Sequence, residues 1–190
     1  LEIIARCMKS ICEGEVDQFS DKFNVNTSML SYLKRISRKT AALFASSCLL
    51  GAYLGKCPQK TEKSLAKYGF YYGMAFQIRD DLYDYISNPV EMGKPVGGDI
   101  AKGIVTIPAI YAMRNNVKLK ELIAGLFEKR KMLSEAEVEV IIRGVKESKG
   151  IEEAKRMLNT YVDRGLDELR NLPDNSYRTL LQELMLSLRM

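Results

Sequence analysis

An acidic cluster suited to a hard metal ion lies near the middle of the chain. Asp80, Asp81 and Asp84 belong to a stretch that contains neither glycine nor proline between positions 74 and 88. Apolar residues recur at helical spacing through this region, which predicts a helix: Tyr71, Met74, Ile78, Leu82 and Tyr85. On a helix, Asp80 and Asp84 lie one turn apart on the same face. Carboxylate ligands alone, with room left for water and phosphate oxygens, favour Mg²⁺.

The acidic stretch leads into a segment with glycines, lysines and another carboxylate. This segment includes Gly93, Lys94, Gly97, Gly98 and Asp99. Glycine lets the backbone approach a ligand closely, and lysine supplies a point charge for phosphate. Together, the acidic helix and this segment indicate a site for a metal–diphosphate complex. The alternative is that the aspartates are only the solvated face of a helix, where acidic residues usually lie.

An ordered string of motifs resembles one enzyme family. FQIRDDLYD, GKPVGGD and VTIPAIYAM follow one another as in the second aspartate-rich region of the trans-isoprenyl diphosphate synthases, which make farnesyl, geranylgeranyl and longer polyprenyl diphosphates. Residues 38 to 43 resemble that family's Lys-Thr segment, and Gly14, Glu15 and Gln18 fit the helix before it. Residues 154 to 190 resemble its last helices, so the resemblance covers essentially the whole chain.

The resemblance implies an all-α fold, an isoprenoid synthase-type helical bundle around a central cavity. It also implies a Mg²⁺-dependent prenyl transfer from an allylic diphosphate to isopentenyl diphosphate. The allylic C–O bond breaks, the isopentenyl double bond attacks the allylic cation, and a proton is lost. Such a site must stabilise an anionic leaving group while it keeps the cation in a dry, apolar cavity.

The resemblance further implies a role for each carboxylate of the region. Asp80 would bind Mg²⁺ directly. Asp81, Asp84 and Asp99 would support the ion through water or through indirect contacts. All four carboxylates are therefore expected near one metal centre.

Five other residues would serve the substrates if the resemblance holds. Lys39 and Lys94 would neutralise the leaving diphosphate. Thr40 and Gln77 would present oxygens toward the allylic cation, and Phe76 would form a wall for the homoallylic substrate. The expected catalytic set combines four of these residues with the metal-binding Asp80: Lys39, Thr40, Gln77 and Lys94.

The sequence departs from the family pattern in two places. Family members usually carry a lysine before the Val-Thr of the later segment, where this chain has Ile104, with Lys102 two residues earlier. The chain also has one aspartate-rich motif, whereas the family has another on an earlier helix, followed by arginines. The chain thus resembles the C-terminal part of such an enzyme, and residues 1–190 alone are expected not to catalyse prenyl transfer.

Three functions remain open from the sequence. The first is a piece of an active synthase, either a homodimer or a chain that associates with the missing N-terminal part. The second is a non-catalytic partner subunit of the same fold, and the third is a helical interaction module. In residues 1–190 alone, the small-residue face of residues 40 to 55, which the complete fold would bury, is expected to be exposed and to promote association.

The composition excludes several other kinds of site. A length of 190 residues, 46% hydrophobic and 28% charged, suits one globular domain over residues 1–190. The chain has no histidine, so Ser-His catalysis, Cys-His catalysis and histidine metal sites are excluded. Its four cysteines form no CxxC pair, which predicts reduced thiols in a cytoplasmic protein.

Charge and hydropathy limit the kinds of partner that the sequence predicts. The formal net charge is +5, but the one compact basic cluster, residues 34 to 39, has no interleaved aromatic residues, so no nucleic-acid partner is expected. The most apolar run, residues 40 to 55, is shorter than the roughly 18 residues that a membrane-spanning helix needs. It predicts a buried helix and no transmembrane segment.

Local signals predict several helix boundaries. Asn26 or Thr27 is expected to cap a helix that runs to about residue 56. The pair Ser134 and Glu137 has the spacing of a capping box. The helix that this box begins is expected to run to about residue 148 and to stop at Lys149-Gly150.

Overall fold

Helices make up all the regular structure in the described part of the chain. The computed structural model describes residues 1–87 and 96–190, and these contain no strand, which confirms the all-α prediction. A π-helical segment, Ser37–Ala41, lies between two of the α-helices. The α-helices are α1 (Glu2–Ser20), α2 (Met29–Ile36), α3 (Ala42–Leu54), α4 (Gln59–Ile86), α5 (Gly98–Ala101), α6 (Ile107–Asn115), α7 (Val117–Phe127), α8 (Glu135–Glu147), α9 (Gly150–Leu169) and α10 (Ser176–Leu186).

The chain divides into two compact units, each assembled from separate stretches. The first unit comprises Leu1–Val16, Lys34–Gln77 and Met157–Met190, and the second comprises Asp17–Leu33 and Ile78–Arg156. The boundaries between these stretches fall inside α1, α2, α4 and α9. The organisation of residues 1–190 as one domain stays a prediction.

Close backbone contacts hold the first unit together. A Cβ atom on Gly69 would lie 2.4 Å from the carbonyl oxygen of Phe44, and a Cβ atom on Gly73 would lie 2.6 Å from the Cα of Ala41. Only glycine allows helices to approach this closely. Part of the small-residue face of residues 40 to 55 is therefore covered by α4 rather than exposed.

The apolar stripe predicted for α4 is its buried face in the second unit. Ile78, Leu82 and Tyr85 are fully buried, together with Ile107 of α6 and Ile123 of α7. Asp80 lies between Ile78 and Leu82 in the sequence, but it is exposed. The periodicity of the sequence therefore fixes the face of α4 that carries this aspartate.

The helix predicted up to about residue 56 is interrupted by the π segment. The Ala42 N–H bonds to the carbonyl oxygen of Ser37, five residues back instead of four. Such bonds widen one turn, and single π turns are frequent at functional sites. This turn carries Lys39 and Thr40, two of the residues expected to serve the substrates.

The start of this helix also differs from the prediction. Ser28, rather than Asn26 or Thr27, caps α2, because its Oγ accepts the N–H of Ser31 at 3.0 Å. The Thr27 hydroxyl instead donates to Asp21 at 2.7 Å. Thr27 therefore belongs to the turn that precedes α2, and Ser28 provides the cap.

Two later boundary predictions are confirmed. The Ser134 side chain accepts the Glu137 N–H and the Glu137 carboxylate accepts the Ser134 N–H, which forms the predicted capping box. The predicted stop at Lys149-Gly150 agrees to within two residues, because α8 ends at Glu147 and α9 begins at Gly150. A Cβ atom on Gly150 would lie 2.4 Å from the carbonyl oxygen of Pro108, so this glycine also marks a close contact.

Hydropathy and cysteine chemistry add two facts. Among the described residues, no helix is both long and apolar enough to cross a bilayer. All four cysteines are free thiols, with Cys7 buried and Cys12 exposed.

Candidate functional site

A cavity of about 810 Å³ lies beside the acidic end of α4 within the second unit. Its charged lining includes Asp80, Asp84, Asp99, Lys102 and Lys146. Asp80 is exposed, and within the described ranges its carboxylate has no hydrogen-bond or ion-pair partner. It is therefore the carboxylate of this group that is most available to a cation.

Asp81 points into the protein instead. It is 3% exposed, and the hydroxyl of the fully buried Tyr32 donates to its Oδ2 at 2.7 Å. A buried carboxylate needs such a donor because water no longer solvates it. The contact ties α2 to the acidic turn of α4, so Asp81 is suited to an indirect role.

Asp84 uses both of its carboxylate oxygens on backbone amides. Oδ1 accepts the N–H of Gly98 at 2.9 Å, and Oδ2 accepts the N–H of Asp99 at 3.0 Å. The Asp84 carbonyl oxygen also accepts the N–H of Gly97 at 2.7 Å. The end of α4 is therefore bonded three times to the start of α5.

Two hydroxyls lie buried next to this acidic group. Tyr85 OH and Thr106 Oγ1 have no hydrogen-bond partner of normal geometry in the described part of the chain. Burial raises the pKa of Tyr85 far above its ordinary range, the neighbouring Thr106 hydroxyl lowers it in part, and the charges of Asp84 and Asp99 raise it again. Tyr85 therefore stays protonated at physiological pH.

The donor set fits Mg²⁺ only in a restricted way. No three His, Cys, Asp or Glu side chains in residues 1–87 and 96–190 are grouped so that they could hold an ion by themselves. Mg²⁺ is usually bound through one or two carboxylates, with waters and substrate phosphates completing its shell. Asp80 meets that need, whereas the oxygens of Asp81 and Asp84 are already engaged. The direct role of Asp80 and the supporting roles of the other aspartates stay predictions.

The cations around the cavity differ from those named from the sequence. Lys94 lies outside the described residues. Ile104 is 7% exposed, so the position where the family usually has a lysine is part of the core. Lys102 and Lys146 line the cavity instead, and both are exposed. Lys146 belongs to α8, where no motif in the sequence pointed to a site residue.

The other predicted site residues lie in the first unit. The Thr40 hydroxyl donates to Gln77 Oε1 at 2.6 Å, which joins the π segment to α4. Lys39 Nζ lies 3.1 Å from Glu15 Oε1. A Cβ atom on Gly14 would lie 2.5 Å from the Lys39 backbone nitrogen, so α1 supports this turn at backbone distance.

Phe76 belongs to a small aromatic group in the same unit. Its ring centroid lies 5.5 Å from that of Phe44 and 6.5 Å from that of Tyr72. The Phe76 side chain is 36% exposed. An aromatic ring that is packed on one side and open on the other is suited to contact an apolar ligand.

Two curated relatives cover almost the whole chain. The heptaprenyl diphosphate synthase component 2 of Geobacillus stearothermophilus is 36% identical over 185 residues, 97% of this chain and 57% of that protein. The chloroplastic solanesyl diphosphate synthase 1 of Arabidopsis thaliana is 30% identical over 186 residues, 98% of this chain and 45% of that protein. The chain thus spans about half the length of these relatives.

Solved structures agree in fold. The heptaprenyl diphosphate synthase of Staphylococcus aureus matches 98% of this chain and 58% of its own, with a TM-score of 0.92 and 35% identity. A polyprenyl synthase of Caulobacter crescentus CB15, complexed with calcium and isoprenyl diphosphate, matches 97% of this chain and 56% of its own, with a TM-score of 0.91 and 31% identity. The sequence signature of the polyprenyl synthetases matches residues 1–144. By sequence and by fold, the chain belongs to the polyprenyl synthetase family.

Proposed function

We propose that this chain is part of a trans-prenyltransferase that joins an allylic diphosphate to isopentenyl diphosphate. The observation that carries the proposal is the grouping of Asp80 with Lys102 and Lys146 around one cavity, in a chain of the polyprenyl synthetase family. The calcium and isoprenyl diphosphate bound to the Caulobacter protein support a divalent cation and a diphosphate as the ligands.

The acidic turn of α4 would hold the cation. Asp80 binds Mg²⁺ directly, while Asp81, Asp84 and Asp99 keep the acidic turn in place. When bound, the ion neutralises charge on the diphosphate that leaves. The ammonium groups of Lys102 and Lys146 would add positive charge to the same cavity, where charge on the leaving group develops.

The remaining residues would act on the organic part of the reaction. Lys39 and Lys94 neutralise the leaving diphosphate. Thr40 and Gln77 turn oxygens toward the allylic cation, and Phe76 shields the homoallylic substrate from water. The allylic C–O bond breaks, a C–C bond forms from the isopentenyl double bond, and one proton is lost.

Association completes the proposal. The chain would work as a homodimer or together with a further segment of the synthase fold. The second arrangement is supported by its span of 57% of the Geobacillus protein. Residues 1–190 would form a single cytoplasmic domain of that assembly. A second candidate is a non-catalytic partner subunit. The name "component 2" of that relative supports an enzyme built from more than one component.

Binding of inorganic diphosphate tests the site in the chain as it stands. Calorimetric titration with and without Mg²⁺ should show Mg²⁺-dependent binding. Asp80→Asn should weaken this binding about tenfold or more, the loss expected when one metal–carboxylate contact disappears. Asp163→Asn is a matched control, since that aspartate lies on α9 and pairs with Arg189. Equal binding by wild type and Asp80→Asn would refute the metal role.

Turnover tests the reaction. Residues 1–190 alone should not consume radiolabelled isopentenyl diphosphate with dimethylallyl, geranyl or farnesyl diphosphate as acceptor. Adding the part of a polyprenyl synthetase that carries the other aspartate-rich motif should restore Mg²⁺-dependent turnover. Steady turnover by the chain alone would show that one acidic motif suffices. Continued inactivity after the addition, with binding intact, would favour the partner-subunit function.

A further inference from the structure

The three bonds between Asp84 and the start of α5 separate this aspartate from Asp80. Both residues lie on α4 and line one cavity, yet only Asp80 has its carboxylate oxygens unengaged within the described residues. The Asp84 oxygens accept amide hydrogens at 2.9 and 3.0 Å. A carboxylate that accepts two amides in this way forms strong, charge-assisted hydrogen bonds. Binding a cation would compete with them.

The turn that Asp84 holds has little freedom to take another form. Gly97 has φ +78, and a Cβ atom on it would lie 2.4 Å from Val138 Cγ1 and 2.8 Å from Ile142 Cδ1. Position 97 therefore requires glycine, both for its backbone conformation and for its packing against α8. The start of α5 is clamped between α8 on one side and Asp84 on the other.

The clamped segment carries charged groups of the site. α5 includes Asp99 and is followed directly by Lys102, and both line the cavity with Asp80. The N–H of Lys102 bonds to the Asp99 carbonyl oxygen at 3.0 Å, so the lysine backbone follows α5. A shift of α5 would therefore move the Lys102 ammonium relative to Asp80.

We propose that Asp84 is a positioning residue and not a metal ligand: it anchors α5 to α4 and so places Lys102 at the cavity that Asp80 lines. The part of this proposal that rests on the proposed function is the identity of the ligand near Lys102. The anchoring itself is a property of the protein without ligand. Within the acidic motif, Asp80 then faces the cation, whereas Asp81 and Asp84 hold the surrounding helices.

Hydrogen exchange in metal-free buffer tests the anchor. In Asp84→Ala, the amides of Gly98 and Asp99 should exchange about tenfold faster or more, since a loss of one such bond corresponds to at least that factor. Asp84→Asn keeps one acceptor oxygen and should fall between wild type and alanine. Asp80→Ala is the matched control and should leave these two amides unchanged. Unchanged exchange in Asp84→Ala would overturn the proposal.

Binding of inorganic diphosphate separates positioning from a purely structural role. Asp84→Asn should lower diphosphate affinity at saturating Mg²⁺ while the Mg²⁺ concentration for half-maximal binding stays the same. Asp80→Asn should raise that concentration. Gly97→Ala disturbs the same turn without touching a carboxylate and should reproduce the Asp84→Asn result.

The remaining outcomes are equally decisive. A rise in the Mg²⁺ requirement of Asp84→Asn as large as that of Asp80→Asn would make Asp84 a metal ligand. Unchanged diphosphate affinity in Asp84→Asn, with faster exchange, would make its role structural only. If the wild-type chain binds no diphosphate, the proposed function fails. Hydrogen exchange by itself then tests whether Asp84 anchors α5.

Discussion

Two buried hydroxyls stand out at the scale of single residues. Tyr85 is fully buried and Thr106 is 2% exposed, yet within the described ranges neither hydroxyl meets a partner of normal geometry. A buried polar group left unsatisfied costs about 1–3 kcal/mol. We therefore expect these two hydroxyls to destabilise the second unit locally.

We expect Tyr85→Phe to stabilise the metal-free protein. Removing the hydroxyl removes the desolvation cost without opening a cavity, and a gain of about 1 kcal/mol is expected. Thermal melts should then show a rise of about 2–4 °C for a domain of this size. Thr106→Ser, which keeps the second hydroxyl, is the control. A lower melting temperature for Tyr85→Phe would mean that an internal water bridges the two hydroxyls.

The hydroxyl of Tyr32 has the opposite role. It donates at 2.7 Å to the buried carboxylate of Asp81, and a hydrogen bond to a charged group is worth about 1.5–3 kcal/mol. Tyr32→Phe should therefore destabilise the protein by about 2 kcal/mol in urea unfolding. A double-mutant cycle with Asp81→Asn isolates the pair. A coupling energy near zero would show that the contact contributes nothing to stability.

At the scale of helices, the sequence predicts features that neighbours in the same helix determine. It misses features that depend on contacts with another helix or on the hydrogen-bond register. The apolar stripe of α4 and the capping box of α8 are confirmed because neighbours in the same helix determine both. The π turn was missed because a change of hydrogen-bond register leaves the residue types unaltered. The close contact at Gly150 was missed because the Pro108 carbonyl oxygen that it approaches lies on another helix.

The same distinction holds for the candidate site. The acidic cluster could be found from the spacing of its aspartates, and the helical period puts Asp80 opposite the apolar face. The direct role of Asp80 was implied only by the family resemblance. Lys146 could not, because only packing brings α8 to the cavity that Asp80 lines. The engagement of Asp84 with the start of α5 was equally invisible, since a carboxylate next to a backbone amide leaves no pattern in the sequence.

The capping box of α8 gives a prediction in pH. Hydrogen bonds from Ser134 lower the pKa of Glu137 below its ordinary value. A lowered carboxyl pKa contributes stability that is fully present above the ordinary glutamate pKa and is lost as the pH falls through the lowered one. NMR titration should show the lowered pKa in wild type and a rise in Ser134→Ala. Glu137→Gln should remove this pH dependence. An unchanged pKa in Ser134→Ala would show that the box is open in solution.

At the scale of the whole molecule, α1 is one of the helices that expose several apolar side chains. Ile4, Met8 and Val16 lie on one helical face at 50%, 57% and 63% exposure. Leu43 and Leu54 of α3 are also more than half exposed, so part of the small-residue helix does present apolar surface. Apolar surface of this kind marks places where another protein surface binds.

We therefore expect residues 1–190 to self-associate. Sedimentation at increasing concentration should show species larger than the monomer, and Met8→Lys should reduce them without lowering the melting temperature. Arg6→Ala, on a neighbouring face of α1, serves as the control. A chain that stays monomeric at all concentrations would contradict this expectation and leave the covering of α1 to a different partner.

The π turn at Ser37–Ala41 determines where a related sequence could lose one residue and keep the fold. Its bond spans five residues, so this turn holds one residue more than a regular turn does. A relative that lacks one residue here keeps both flanking helices in phase, whereas a deletion anywhere else in Met29–Leu54 rotates everything downstream by about 100°. The turn is thus the one place in this helical stretch where a lineage can lose a residue and keep its fold.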